Sequence, residues 1–416
     1  MKNIFAFLAI LAITVSCGGN KDYYNIEGYA QGGTYRITLR SDLKKCKELQ
    51  EGVERILADI DNSISGYNPS SALSMFNGNF NGNFNGNNEG PCQAPDSEVS
   101  GSEAPGNGMS GSGMSGSEVP GRNPILTDIF ALSERIYREC GGYFDVSSGA
   151  LFDAWGFGFK EGTFPDMADI DSIMDFTGMD KIIFRDGRLV KTDPRVTLNF
   201  NAIAQGYTCD IIAGYLAGEG ITDMLVNVGG EIFCRGVNPS GKEWTIGIDA
   251  PIDGNMVAGE KLQTVIEIPV SENGTGVVTS GNYRKFYIKD GKKYSHTVNP
   301  KTGLPVEHNL LSATVISDNT SAEAILALAD GPGITDGTEV TDSTGMADGT
   351  GKATDAGIGK CTALADALAT YMMVVGVEES IAYVQNHPGI EAVLIYEEDG
   401  AIKTWMSEGV IVSGEK

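Results

Sequence analysis

The stretch Cys361–Val375, CTALADALATYMMVV, constrains the fold more than any other. Set at 100° per residue, Leu364, Leu368, Tyr371 and Val375 form one stripe, with Ala369 and Met373 on the opposite side. A helix apolar nearly all round belongs in the interior, so the remaining chain must be built about it. Asp366 and Thr370, four residues apart on that second side, are its inward polar exceptions. Thr362 is the expected N-cap. A buried carboxylate without a partner costs several kcal/mol or takes up a proton. Two readings stand open: an Asp helped by the helix dipole, or an Asp bound to a cation. Carboxylate plus hydroxyl is hard-oxygen chemistry, suited to Mg²⁺ with a backbone carbonyl, water and phosphate completing its shell.

A second polar feature is Arg284–Val306, RKFYIKDGKKYSHTVNPKTGLPV. Two β-prone runs, Arg284–Ile288 and Lys293–Val298, flank an Asp-Gly and read as a hairpin. Alternation puts Tyr294, His296 and Val298 on one face. Asn299-Pro300 ends the strand, and Lys301–Pro305 forms a loop held by Gly and Pro. One of only three histidines therefore stands beside a rigid loop. It is either a structural cap or a working group on a stiff scaffold.

Earlier in the chain, Tyr29–Leu39 reads as one strand with Gly32-Gly33 marking a bulge or a close approach. Leu43–Ile64 has the spacing of an amphipathic helix and runs into a turn presenting Tyr67. Pro124–Cys140 reads as another helix. Val196–Gly236 reads as strand, helix, strand, with Gly229-Gly230 inside the second strand admitting a ligand or another backbone. Residues from about 77 to 123, opening on FNGN repeats, and from about 329 to 360 carry too little apolar content to bury, and read as disordered insertions. Two G-x-G-x-x-G matches in the first, from Gly106 and Gly111, neither follow a strand nor open a helix. A near miss to a P-loop at Gly236…Lys242 ends in Glu243 and enters a strand, which excludes it.

Lys2, the apolar run Ile4–Val15 and Ser16-Cys17-Gly18 read as a secretory signal too short to span a bilayer comfortably. Cys17 behind a small residue resembles a bacterial lipoprotein cleavage site, although Thr14 stands where Leu is usual. The expected organisation is signal 1–16, a lipid-anchored tether 17–28 and one domain 29–416, facing the periplasm from the cell envelope. Plain secretion is the alternative. The net charge of -25 argues against nucleic acid and anionic lipid as partners on electrostatic grounds. A phosphate-bearing ligand then needs a metal or local cations. The six cysteines after Cys17 form no CxxC and no zinc pattern, and an oxidising compartment would permit disulfides among them.

HTVNPKTGLPV resembles the H-x-x-D-P-x-T-G-x-P signature of the ApbE family, the FAD:protein FMN transferases, with Asn299 in place of Asp. The chain is similar to that family in six further blocks. They include GGYFDVSSGALFDAWGFGF, WTIGIDAP, VVTSGNY and ADALAT, the last matched without departure. In the family's D-x-G-x-I-A-K-G block this chain has Asn199, Asn201 and Gln205 for Asp, Gly and Lys, and it has Glu231 for Asp in N-x-G-G-D. The resemblance implies an α+β fold: a two-lobed domain with mixed or antiparallel sheets and flanking helices. It implies a Mg²⁺ site on Asp366 and Thr370, with a backbone carbonyl near Ala202. His296 would be the base, Tyr67 and Trp155 the flavin walls, and Asp145 would shape the cofactor site. Asn227, Gly229, Gly230, Glu231 and Asp249 would line the nucleotide site, and the Thr279 and Ser280 hydroxyls would meet phosphate.

The implied reaction moves FMN from FAD to a Thr hydroxyl of an extracytoplasmic protein, a subunit of a membrane redox complex or a relative of one, and releases AMP. Two rivals stand beside it. One is an FAD pyrophosphatase using water, and the other a non-catalytic flavin-binding lipoprotein, which Asn199, Gln205 and Asn299 favour. Residues 348–354, DGTGKAT, faintly echo the family's acceptor motif, which raises self-flavinylation.

Overall fold

The computed structural model describes residues 22–78, 122–159, 164–185, 187–252, 259–282, 286–289, 292–329 and 358–414. The signal segment, Cys17, the bulk of both insertions and residues 348–354 lie outside the described residues.

The chain opens with β1 (Tyr23–Ala30) and β2 (Gly33–Arg40), then α1 (Leu43–Ile64), α2 (Ala72–Phe76) and, past the first insertion, α3 (Pro124–Glu139). α4 (Gly149–Trp155), α5 (Met167–Met174), β3 (Ile182–Arg185) and β4 (Arg188–Lys191) lead to α6 (Ala204–Gly218). β5 (Met224–Val228), β6 (Glu231–Arg235), β7 (Trp244–Asp249), β8 (Leu262–Ile268) and β9 (Thr275–Gly281) follow. Next come β10 (Phe286–Lys289), β11 (Lys292–Ser295), β12 (Val298–Asn299), β13 (Leu304–Pro305), β14 (Leu310–Asp318) and α7 (Asn319–Leu328). α8 (Cys361–Val375), α9 (Val377–Asn386), β15 (Ile390–Glu398), β16 (Ala401–Met406) and β17 (Ile411–Val412) complete it.

Eight strands form one sheet in the order β1-β2-β5-β6-β9-β14-β15-β16, and every neighbouring pair is antiparallel. Its central strands are buried on both faces. In β15, Ala392 and Leu394 point into the main helical core while Val393 and Ile395 face the small β7-β8-β17 sheet. In β9, Val278 and Val277 divide the same way. The result is helices on one face, a small sheet on the other and an α+β fold between them. α8 lies against β9, β14 and α6, with Leu364, Ala365, Leu368 and Ala369 fully buried. The helix apolar all round is therefore the centre of the fold.

The structure corrects several expectations. Tyr29–Leu39 is not one strand. Gln31 (φ 51°) and Gly32 (φ 78°) make the two-residue turn of the β1–β2 hairpin, a left-handed pair that fits the twist of the strands. Residues 23–28, read as tether, are paired in β1. Val196–Phe200 forms no named strand and contributes one isolated bridge, Ser148 to Thr197. Gly229 and Gly230 are not inside a strand but turn the chain from β5 to β6, at φ 71° and 126°. β11 stops at Ser295, whose Oγ accepts the Thr297 N–H at 3.2 Å, so His296 lies past the end of the strand. The five described cysteines are all buried free thiols, with no disulfide among them. Thr362 does not cap α8, because a carboxylate from α6 does.

Candidate active site

Helices α6 and α8 cap each other. Asp210 on α6 takes the Thr362 N–H on Oδ1 at 3.1 Å and the Ala363 N–H on Oδ2 at 2.8 Å, filling the open donors of α8's first turn. Asp366 on α8 takes the Gly206 N–H, in the first turn of α6, on Oδ2 at 3.0 Å. The pair crosses closely at Gly206, where a Cβ would meet the Thr362 carbonyl oxygen at 2.5 Å and the Asp366 Cβ at 2.8 Å. Burial pushes the Asp210 carboxyl up to about 6 against those backbone bonds. Burial pushes Asp366 further, to about 7, with Asp210 nearby adding to the rise.

Asp366 also opens onto a cleft of about 800 Å³. No donor among the described residues reaches its Oδ1. Thr370, one turn on, and Ala202, just before α6, line the same cleft. A buried carboxylate lacking a cationic neighbour, a hydroxyl four residues on and a backbone carbonyl nearby form a donor set that fits a hard divalent cation keeping part of its water shell. No group of three His, Cys, Asp or Glu side chains able to hold a metal occurs among the described residues.

The lining also includes His296, whose ring stands edge-on to Phe157 with centroids 6.3 Å apart. The chain after it is fixed. Thr297 is buried and its Oγ1 donates to Asn282 Oδ1 at 2.7 Å. Asn299 folds the next loop, its Oδ1 accepting the Lys301 N–H at 2.9 Å and its carbonyl the Gly303 N–H at 2.8 Å. An amide oxygen closes this turn as a carboxylate would, so Asn299 serves here where the family pattern has Asp.

Asp145, Asn227, Gly229, Gly230, Glu231, Asp249, Thr279 and Ser280 all line the same cleft. Asp145 is pushed up to about 6 by burial despite two bonds from Ser147, N–H at 2.8 Å and Oγ at 2.5 Å. Asn227 Oδ1 accepts the Gly230 N–H at 3.2 Å and pins the glycine turn. Gln205 leans over that turn. With its amide oriented to suit its neighbours it donates to both Glu231 oxygens, at 3.2 and 3.3 Å, and a Cβ on Gly229 would strike it at 2.0 Å. Thr279 Oγ1 lies 2.8 Å from Thr314 Oγ1.

Two expected wall residues are elsewhere. Trp155 does not line the cleft. It packs with Leu151, Ile170 and Val298, and its Nε1 donates to the Gly303 carbonyl at 2.8 Å, so it braces the loop after His296 from behind. Tyr67 is 72% exposed and sits edge-on to Phe159, outside the cleft lining. The aromatic wall consists instead of Tyr143, Phe144, Phe152 and Phe157. All four belong to the GGYFDVSSGALFDAWGFGF block. The described lining contains four carboxylates and no Lys or Arg, and Lys301 Nζ sits over the ring of the lining residue Tyr143, 3.9 Å from its centroid.

Fold and cleft together place the chain among the flavin transferases. The structure aligns with a flavin transferase from Vibrio cholerae at TM-score 0.64 and 25% identity, covering 94% of this chain and 98% of that one. The apo flavinyl transferase of Pseudomonas stutzeri shares the fold at TM-score 0.65 and 24% identity, with 93% and 95% covered. The sequence narrows this to one family. Residues 31–347 match the ApbE family, and the chain belongs to it. It is 28% identical over 390 residues to the FAD:protein FMN transferase of Escherichia coli (strain K12), covering 92% of this chain and 86% of the relative. It is 32% identical over 289 residues to that of Klebsiella pneumoniae (strain 342), covering 68% of each.

Proposed function

We propose that this protein is a Mg²⁺-dependent FAD:protein FMN transferase that moves FMN from FAD to a Thr hydroxyl of an acceptor protein and releases AMP. Flavin transfer is the activity for which its curated relatives are named. One observation carries the finer reading: Asp366 and Thr370 of the central helix share a single cleft with His296.

His296 receives the proton from the acceptor hydroxyl, and the freed oxygen attacks the FMN phosphorus. The new O–P bond forms as the bond between that phosphorus and the bridging oxygen breaks, and AMP leaves with the bridging oxygen. Asp366, Thr370 and the Ala202 carbonyl would hold Mg²⁺, which when bound neutralises diphosphate charge that the four lining carboxylates would otherwise repel. The Thr279 and Ser280 hydroxyls and the pinned glycine turn orient the diphosphate, while the Tyr143–Phe157 wall excludes water from the flavin. Among the described residues no helix is long and apolar enough to cross a membrane. Attachment through Cys17 to the periplasmic face of the envelope, beside membrane redox complexes as acceptors, is the reading that the signal-like N-terminus supports.

The test incubates purified protein with FAD, Mg²⁺ and an acceptor domain, and weighs the acceptor. A gain equal to FMN on one Thr, with AMP released in step and no gain for Asp366→Asn, supports the reading. Free FMN with unlabelled acceptor marks a pyrophosphatase, bound FAD without AMP a flavin carrier, and FMN on the enzyme itself self-modification.

A further inference from the structure

His308 stands where the loop that follows His296 meets the end of the central helix. Val306, two residues before it, donates its N–H to the Thr297 carbonyl at 3.0 Å, which closes that loop. The His308 ring then bonds at both nitrogens. Its Nδ1 takes the Leu310 N–H at 3.3 Å, and its Nε2 lies 2.8 Å from the Met373 carbonyl oxygen, 65 residues away in sequence. A backbone N–H only donates and a carbonyl only accepts, so these neighbours select one form of the imidazole: bare Nδ1, protonated Nε2, no charge. Met373 belongs to the last turn of α8, whose carbonyls have no partner within the helix. The Gly376 N–H serves the Met372 carbonyl at 3.0 Å, and His308 serves the next one. Packing there is close, since a Cβ on Gly376, at φ 88°, would meet the ring at 3.4 Å. Met373 and Val374 line the cleft that Asp366 and Thr370 share with His296.

A proton on Nδ1 would set two donors against each other. Burial holds the His308 imidazole below its ordinary value of 6.5, against the Met373 bond and the Glu378 carboxylate on α9, which favour the charged form. The α8 turn beside the ring, Met372–Val375, carries no charged side chain, and Glu307 and Glu397 on the flanking strand and loop are exposed. We propose, on the reading that these groups act together in flavin transfer, that His308 is a positioning residue. It ties the loop behind His296 to the last turn of α8 and so fixes the spacing between His296 and the Asp366–Thr370 pair.

The test first reads the tautomer. With three histidines in the chain, proton–nitrogen NMR of the metal-free protein gives each imidazole its own signals, assigned with His308→Gln and His387→Gln. The expected result is a bare Nδ1 on His308 at pH 7.5 that stays bare as pH falls through 6.5, and a protonated Nδ1 at pH 7.5 overturns the proposal. Transfer of FMN from FAD to the acceptor is then measured. A glutamine amide can still donate to Met373, so His308→Gln should keep kcat within about threefold, while His308→Ala should lose about tenfold or more. KM for FAD should stay within about twofold in both. From pH 7.5 to 5.5 the melting temperature of wild type should fall about 1–3 °C further than that of His308→Gln. An imidazole held below 6.5 gives up stability as pH drops beneath that value. An unchanged kcat per folded molecule in His308→Ala, a matching rise in KM, or no rescue by His308→Gln overturns the proposal. Should His308→Ala fail to fold, the tautomer and the pH difference against His308→Gln decide. Wild type that transfers no FMN sinks the functional reading and the proposal with it, whereas active wild type matched by both variants sinks the proposal alone.

Discussion

Asp210 and Asp366 are a matched pair: both buried, both on central helices, each capping the helix that carries the other. They differ in how their oxygens are used. Asp210 spends both on backbone N–H groups of α8 and does not line the cleft. Asp366 uses one on Gly206 and turns toward the cleft, and it is the one driven up to about 7. Burial alone does not mark a functional carboxylate, since both have it. The unfilled oxygen does.

The largest effect expected is in Asp366→Asn. The amide oxygen still accepts from Gly206, so the α6–α8 crossing stays intact and a buried charge is gone. Flavin transfer should fall about a thousandfold, while the melting temperature without metal holds or rises. A loss of activity only in proportion to lost folding would erase the distinction between the two carboxylates. His296→Ala comes next, with transfer reduced about a hundredfold to a thousandfold and little change in FAD affinity, as expected of a base acting in the chemical step. Asp210→Asn is the converse variant. It removes one of two acceptors from α8's first turn and should cost about 1–2 kcal/mol in denaturant unfolding, with activity per folded molecule kept.

How far the sequence carried this contrast depends on what each residue's neighbours are. The apolar all-round pattern of 361–375 singled out α8, and the spacing of Asp366 and Thr370 placed both on one side, because helix periodicity is local. Asp210 was invisible as a cap. Its partners lie 152 and 153 residues away, and Thr362 is the residue a local rule selects. The same limit governs the aromatic wall. The family resemblance pointed to Trp155, but the carbonyl of Gly303 that turns its indole away is 148 residues distant. Gly229-Gly230 read as a strand interruption because two apolar runs either side of two glycines fit a bulged strand and a tight hairpin alike. The register β5 takes against β2 and β6 decides between them.

The smallest effect, and the sharpest on the comparison, is in pH. A carboxyl raised in the folded state binds a proton more tightly than in the unfolded chain, so the native protein holds more protons between the ordinary value, 3.8, and about 7. Metal-free stability must then fall as pH rises through that window, and Asp210 and Asp145, raised from 3.8 to about 6, add in the same direction within its lower part. A divalent cation needs the ionised form of Asp366 and competes with its proton. The melting temperature gained on adding Mg²⁺ should thus be small at pH 5.5 and larger by a few degrees at pH 8, by mass action on the native state alone. Asp366→Asn should show neither the gain nor its pH dependence, whereas Asp210→Asn should keep both. A Mg²⁺ gain equal at both pH values, or surviving in Asp366→Asn, would mean that the open oxygen of Asp366 is not where the cation binds. The difference between the two carboxylates would then reduce to geometry.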